Sequence, residues 1–137
     1  MKKNFLLAFV ALLLIGFSAC NKKDDKKDQT TAEKIIGIWH LDTDIYNEFY
    51  DNKNHYDTTK GGPNDILEFK KDGSVAVTDT DGSIQSSTYS LVGDTKIIIG
   101  GNIAYDIKTL TANLLVLYTK ADYGSNEYDE ETLTLKR

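Results

Sequence analysis

A chain of 137 residues with 16 basic and 21 acidic side chains, a formal net charge of −5 and one cysteine is of a size for a single folded domain. The acidic balance repels phosphate backbones, and no basic stripe with interleaved aromatics offsets it, which argues against nucleic-acid binding. One cysteine allows no intramolecular disulfide, so the fold has to be held by its core alone.

In chain order, Lys2 and Lys3 come first, then an apolar run from Phe5 to Ile15, then Gly16 and the small residues Ser18 and Ala19. A charged start, a short greasy stretch and a small-residue exit are the grammar of a secretory signal. The run is too short for a membrane span, which needs about 20 apolar residues. Cys20 follows at once. The stretch Phe17-Ser18-Ala19-Cys20 resembles the lipobox of bacterial lipoproteins, with Phe17 where leucine is usual. In that family the cysteine sulfur carries a diacylglycerol, the signal is cut just before it, and the new N-terminus is acylated. The resemblance therefore implies a cleaved signal over residues 1–19, lipidation at Cys20, and a lipid anchor in the bacterial cell envelope, expected at the outer membrane. Several acyl chains hold a protein stably where one does not, at about 0.8 kcal/mol per buried CH₂. Cleavage would remove Lys2 and Lys3 but no acid, so 14 basic side chains would face 21 acidic ones.

Asn21 to Asp28 contains no apolar residue and cannot join a core. Residues 20–33 are read as the lipidated cysteine and a charged tether, about 20 Å long as a coil. Lys23-Asp24-Asp25 also resembles the surface-export signal of lipoproteins of the Bacteroides group, which implies exposure outside the cell.

From Lys34 to Arg137 the pattern has period two, with no convincing helix. It predicts an all-β domain of eight strands, at about Ile35–Tyr46, Asp65–Lys70, Ser74–Thr78, Ser83–Leu91, Lys96–Ile99, Ile103–Thr109, Leu114–Thr119 and Tyr128–Lys136. Turn residues at Asp72-Gly73, Asp81-Gly82, Gly93-Asp94 and Gly100-Gly101-Asn102 separate several of them. Short consecutive strands joined this way favour an antiparallel up-and-down meander, and eight can close into a barrel without free edges. Alternation points Gly37, Trp39 and Leu41 inward, with Leu67, Phe69, Val75, Val77, Tyr89, Leu91, Ile97, Ile99, Tyr105, Ile107, Leu115, Leu117, Leu133 and Leu135. So bulky a set predicts an interior filled by its own side chains, since an eight-stranded barrel has room for little more.

Ile36-Gly37-Ile38-Trp39 resembles the Gly-x-Trp of lipocalins. Together with Leu67-Glu68-Phe69-Lys70-Lys71-Asp72-Gly73 and Tyr105-Asp106-Ile107-Lys108-Thr109-Leu110-Thr111, the layout is similar to the lipocalin-like domain of Bacteroides-type lipoproteins over nearly all of residues 34–137. The lipocalin N-terminal 3₁₀ turn and C-terminal helix are not evident. The resemblance implies that Gly37 and Trp39 close one end of the barrel, and that the domain binds a small apolar or amphipathic molecule.

The chemistry-bearing residues are few. Asp79-Thr80-Asp81-Gly82-Ser83 hints at a calcium loop, but the acid at the first position and the glutamate at the twelfth are missing, so a hairpin turn is expected. His40 and His55, the only histidines, match no metal-ligand spacing. No nucleophile elbow and no phosphate-cradling loop are present. No catalytic residue, metal or cofactor is therefore assigned, and the domain is read as a binding protein rather than an enzyme. In an up-and-down barrel, the loops at 47–64, 79–82, 100–102 and 120–127 share one rim. That rim would gather Tyr46, Phe49, Tyr50, Tyr56, Tyr123 and Tyr128 with Asp51, Asp57, Asp122, Glu127 and Asp129. Flat amphipathic rings beside carboxylates suit sugars, aromatic ligands or a protein surface. The alternative is a structural or protein-interaction lipoprotein with a filled core and no small ligand.

Overall fold

A computed structural model describes residues 28–137. The expected signal peptide of residues 1–19, Cys20 and most of the tether lie outside the described residues. The chain runs through a one-turn helix α1 (Thr31–Ile35) and nine strands: β1 (Gly37–Tyr50), β2 (Lys53–Lys60), β3 (Ile66–Phe69), β4 (Ser74–Thr78), β5 (Ile84–Val92), β6 (Lys96–Ile99), β7 (Ile103–Leu110), β8 (Leu114–Gly124) and β9 (Glu127–Lys136). Every pairing is antiparallel, in the order β2-β1-β3-β4-β5-β6-β7-β8-β9, and β9 pairs back on β1. Eight strands, β1 and β3 to β9, thus close an up-and-down barrel, as the alternation predicts. β2 is a ninth strand outside the ring.

The ninth strand corrects the expectation of a long first loop over 47–64. β1 has fourteen residues where β3 has four. Its lower part, Gly37 to His40, pairs with β3, while Thr43 to Tyr50 pairs with β2. β2 and β3 are two segments of one descending run, interrupted at 61–65. Gly61 permits the interruption by close approach, because a Cβ there would lie 1.9 Å from the Leu41 carbonyl oxygen. The Gly61 N–H donates to the Asp42 carbonyl (3.1 Å) and the Leu41 N–H to the Asp65 carbonyl (2.9 Å). The Asp65 side chain then accepts from the Gly62 N–H (2.7 Å) and the Thr80 hydroxyl (2.6 Å), tying the break to the turn between β4 and β5.

The core follows the alternation closely. Trp39, Phe69, Val75, Ile97, Leu115, Leu117 and Leu135 are fully buried, with Leu41, Leu67, Tyr89, Leu91, Ile99, Ile107 and Leu133 packed against them. Ile35 joins them from α1, which the sequence reading placed in a strand. Residues 31–33, read as tether, belong to this helix as well. A capping box explains it: the Thr30 N–H donates to the Glu33 carboxylate (2.8 Å), and the Glu33 N–H to the Thr30 hydroxyl (3.3 Å). The bond from the Thr30 backbone also holds the Glu33 carboxyl below its ordinary value.

Trp39 is buried at this end of the barrel, next to α1. Its indole N–H donates to the Ile35 carbonyl at 2.8 Å, in a buried bond. The Arg137 guanidinium lies 4.0 Å from the indole ring and donates to the Lys34 (2.9 Å) and Ile36 (2.6 Å) carbonyls. Helix, plug and last strand are thereby one assembly. Trp39→Ala is expected to cost about 3–5 kcal/mol, as large-to-small changes of buried aromatics do. Trp39→Phe, which mainly orphans the Ile35 carbonyl, should cost about 1–3 kcal/mol. Urea unfolding of the two variants would check that order; a negligible loss from Trp39→Phe would mean that the buried bond contributes nothing.

Candidate functional site

The end opposite Trp39 is built from two hairpins. β1 turns into β2 through Asp51 and Asn52 (φ 52° and 58°), and β8 turns into β9 through Ser125 and Asn126 (φ 54° and 63°). Both central residues are left-handed in each, as a two-residue turn matched to the strand twist requires. These residue types tolerate that conformation better than most. Above the ring, β2, β1, β9 and β8 pair only with one another, from Lys53 against Tyr50 to Gly124 against Glu127.

A bulge in β1 decides what faces the mouth. The register against β9 shifts between Leu41 and Thr43. Strict alternation from Trp39 would turn Thr43 and Ile45 inward. The bulge gives that side instead to Asp44, Tyr46 and Glu48, opposite Leu133, Glu131 and Asp129. Ile45 is left 38% exposed. The barrel interior, apolar below, therefore becomes tyrosine and carboxylate above.

An inner cleft of about 240 Å³ opens here, lined by Tyr46, Ile103, Thr119, Ala121, Tyr123, Asp129, Glu130 and Glu131. The Tyr123 hydroxyl donates to Asp129 (2.7 Å) and the Tyr105 hydroxyl to Glu131 (2.7 Å). A hydrogen bond to Asp129, with burial and nearby negative charge, pushes the Tyr46 hydroxyl up to about 12. Burial first, then Glu131, raises Tyr105 above its ordinary value. These phenols remain protonated donors, and the carboxylates they meet are acceptors. Asp44 lies deeper. Burial raises its carboxyl, and the charges of Glu131 and Asp57 add to the effect. Its Oδ1 is buried without a hydrogen-bond partner among the described residues.

On the other face of the same sheet is an outer cleft of about 580 Å³, lined by Phe49, Asn52, Asp122, Gly124, Ser125, Asn126 and Tyr128. Phe49 and Tyr128 stack at 4.9 Å and 8°. The Lys120 ammonium sits 3.4 Å from the Tyr128 ring centre. Beside them Glu130 accepts from the Tyr118 hydroxyl (2.9 Å) and the Lys120 ammonium (3.3 Å). Burial works against ionisation of Glu130, but hydrogen bonds from Tyr118, Lys120 and Asn47 outweigh it and hold its carboxyl low.

The six aromatics expected on one rim are thus divided. Tyr46 and Tyr123 meet at the inner cleft, and Phe49 and Tyr128 at the outer one. Tyr50 stacks on His55 at 3.9 Å on the first hairpin. Tyr56 stands 67% exposed on β2, lining neither cleft. The reason is simple: all six lie on strands rather than loops, so neighbours in sequence point to opposite faces. Sequence reasoning missed Asp44, Glu48, Tyr105 and Glu131 as mouth residues. Running the alternation of the last strand back from Leu135 through Leu133 would have found Glu131 and Asp129.

Asp79 to Ser83 forms the expected turn, its carboxylates engaged internally: Asp81 accepts from the Ser83 N–H (2.8 Å) and Asp79 from the Ser83 hydroxyl (3.1 Å). Comparison with known protein families, with curated proteins and with solved structures finds no match for this chain.

Asp44 makes the mouth sensitive to pH. Its folded value lies above its unfolded one, so ionisation costs stability. Its contribution is complete at low pH and is lost as pH rises through the folded value. Asp44→Asn is therefore expected to raise Tm at about pH 7, with the gain vanishing towards pH 4. Differential scanning fluorimetry at the two values checks this, and no gain at neutral pH would count against it.

Proposed function

We propose that this chain is a lipid-anchored, lipocalin-like binding module of the bacterial envelope, and that it takes a small amphipathic ligand at its mouth rather than inside its barrel. The observation that carries the reading is the change of lining at the β1 bulge. Below it, the interior is occupied by Trp39, Phe69, Leu115 and their neighbours. Above it, an open cleft presents phenol donors, carboxylate acceptors and the apolar surface of Ile103 and Ala121. A ligand suited to that surface has a flat or apolar body and an amino or hydroxyl group, because the fixed charge is negative.

Two features of the sequence support the anchoring half. The Phe17-Ser18-Ala19-Cys20 stretch resembles a lipobox, and the charged segment after it separates the anchor from the fold. The Gly37 and Trp39 pair supports the lipocalin-like half, with the indole buried at the closed end.

A small cationic aromatic dye and an anionic naphthalene-sulfonate dye would test the ligand class by fluorescence titration. The cationic dye is expected to bind more tightly, and Glu131→Gln with Tyr123→Ala to weaken it at least about tenfold with little change in Tm. Equal affinity for both dyes, or no effect of the double variant, would overturn the mouth as the site. Separately, Cys20→Ser should move the protein from the membrane to the soluble fraction; continued membrane fractionation would refute the anchor.

A further inference from the structure

We propose that β2 is a self-complementary edge through which two copies of this chain join into one continuous sheet. All eight of its residues, Lys53 to Lys60, are exposed, and among the described residues its ladder partner is β1 alone. The strand has no proline, and its lysines stand only at its two ends. It therefore lacks most of the devices that keep an edge from pairing.

The register of β2 on β1 determines which backbone groups are free. The two-residue turn makes Tyr50 and Lys53 a mutually bonded pair. The Gly61 N–H, at the far end, points to the Asp42 carbonyl. Odd-numbered residues of β2 therefore direct their backbone groups to β1. Asn54, Tyr56 and Thr58 direct theirs to the open edge, by the alternation of antiparallel ladders.

A twofold, antiparallel pairing of this edge with itself has to join those residues. With Tyr56 on the axis, Tyr56 meets the partner's Tyr56, and Asn54 meets the partner's Thr58 on either side. That gives three bonded pairs and about six main-chain hydrogen bonds. The same register sets His55 against the partner's Asp57, twice, and Lys53 against the partner's Thr59. No like charges face each other. With Asp57 on the axis instead, two carboxylates would oppose. With His55 on the axis, Lys53 would face the partner's Asp57, but imidazole would meet imidazole and only about four main-chain bonds would form. Charge and bond count together favour the Tyr56 register.

The pairing also accounts for Tyr56, which lines neither cleft. Its ring would lie beside the partner's Tyr56 on the outer face. The four strands β8, β9, β1 and β2 would run on into the partner's four, with the two barrels mouth to mouth and their Trp39 ends farthest apart.

Cross-linking of the full chain in membranes tests the inference. Tyr56→Cys should give a covalent dimer of twice the chain mass with a short bis-maleimide. Ser90→Cys, on the exposed outer surface of β5, should give at least about tenfold less, and the wild type, with Cys20 alone, should give none. Adding Asp57→Lys to Tyr56→Cys should reduce the dimer about tenfold by removing the carboxylate that faces the partner's His55. Adding His55→Asp as well should restore it, since each pair then sets a lysine against a carboxylate. A cross-linked product of any other mass, equal yields from Tyr56→Cys and Ser90→Cys, or indifference to Asp57→Lys would overturn the self-pairing. A stronger self-link from His55→Cys than from Tyr56→Cys would overturn the register.

Discussion

Strand β1 has to serve two structures at once. Below Leu41 it is a barrel stave, bonded to β3 on one side. Above Thr43 it is the spine of a four-stranded sheet, bonded to β2 on that same side. Two backbone features at one level make this possible. The bulge around Asp42 turns the inner face from apolar to polar, and Gly61 lets the descending run pass against the Leu41 carbonyl. The Asp42 side chain adds an ion pair to Lys136 at 2.9 Å, which joins the bulge to β9. A side chain at position 61 would have to move the backbone of β1, and the two structures could no longer share a strand.

Much of the barrel was legible because its lower half obeys a single rule. Trp39, Phe69, Ile97, Leu115 and Leu135 keep strict alternation and are buried as that rule requires. The rest was hidden for three separate reasons. The hairpin joining β1 to β2 turns on Asp51 and Asn52, without the glycine that usually marks such a turn. β2 itself is entirely exposed, so it carries no alternation to read. The bulge leaves no residue signature in β1; it appears only as a mismatch between the faces of β1 and β9. Of the aromatics expected on the rim, Tyr46 and Tyr123 lie at the inner cleft together with Asp129, which the sequence pattern had gathered with them, whereas the part of Glu131 follows only from the strand alternation of β9.

The acidic mouth has an electrostatic logic of its own. Carboxylates crowded on one concave face repel each other, and the raised value of Asp44, set first by burial, carries a share of that cost from Glu131 and Asp57. Tyrosine hydroxyls relieve part of it by donating to Asp129 and Glu131. On the outer face the balance is reversed. There Lys120 lies between Glu130 and the Tyr128 ring, and Glu130 is held in its charged form. One sheet thus presents a negative face towards the barrel mouth and a charge-compensated aromatic face away from it.

Closure of the ring by β1 and β9 has a kinetic consequence. Leu41 pairs with Leu135, so the first and last staves of the barrel must find each other across most of the folded chain. Contacts so distant in sequence close slowly, because the intervening loop has to be ordered first. A chain made from its N-terminus onward has β1 long before β9 exists. During that interval both edges of β1 are unsatisfied except where β2 and β3 cover one of them. The β1–β2 hairpin, local and early, shields the long strand at the stage when it is most exposed to misassembly.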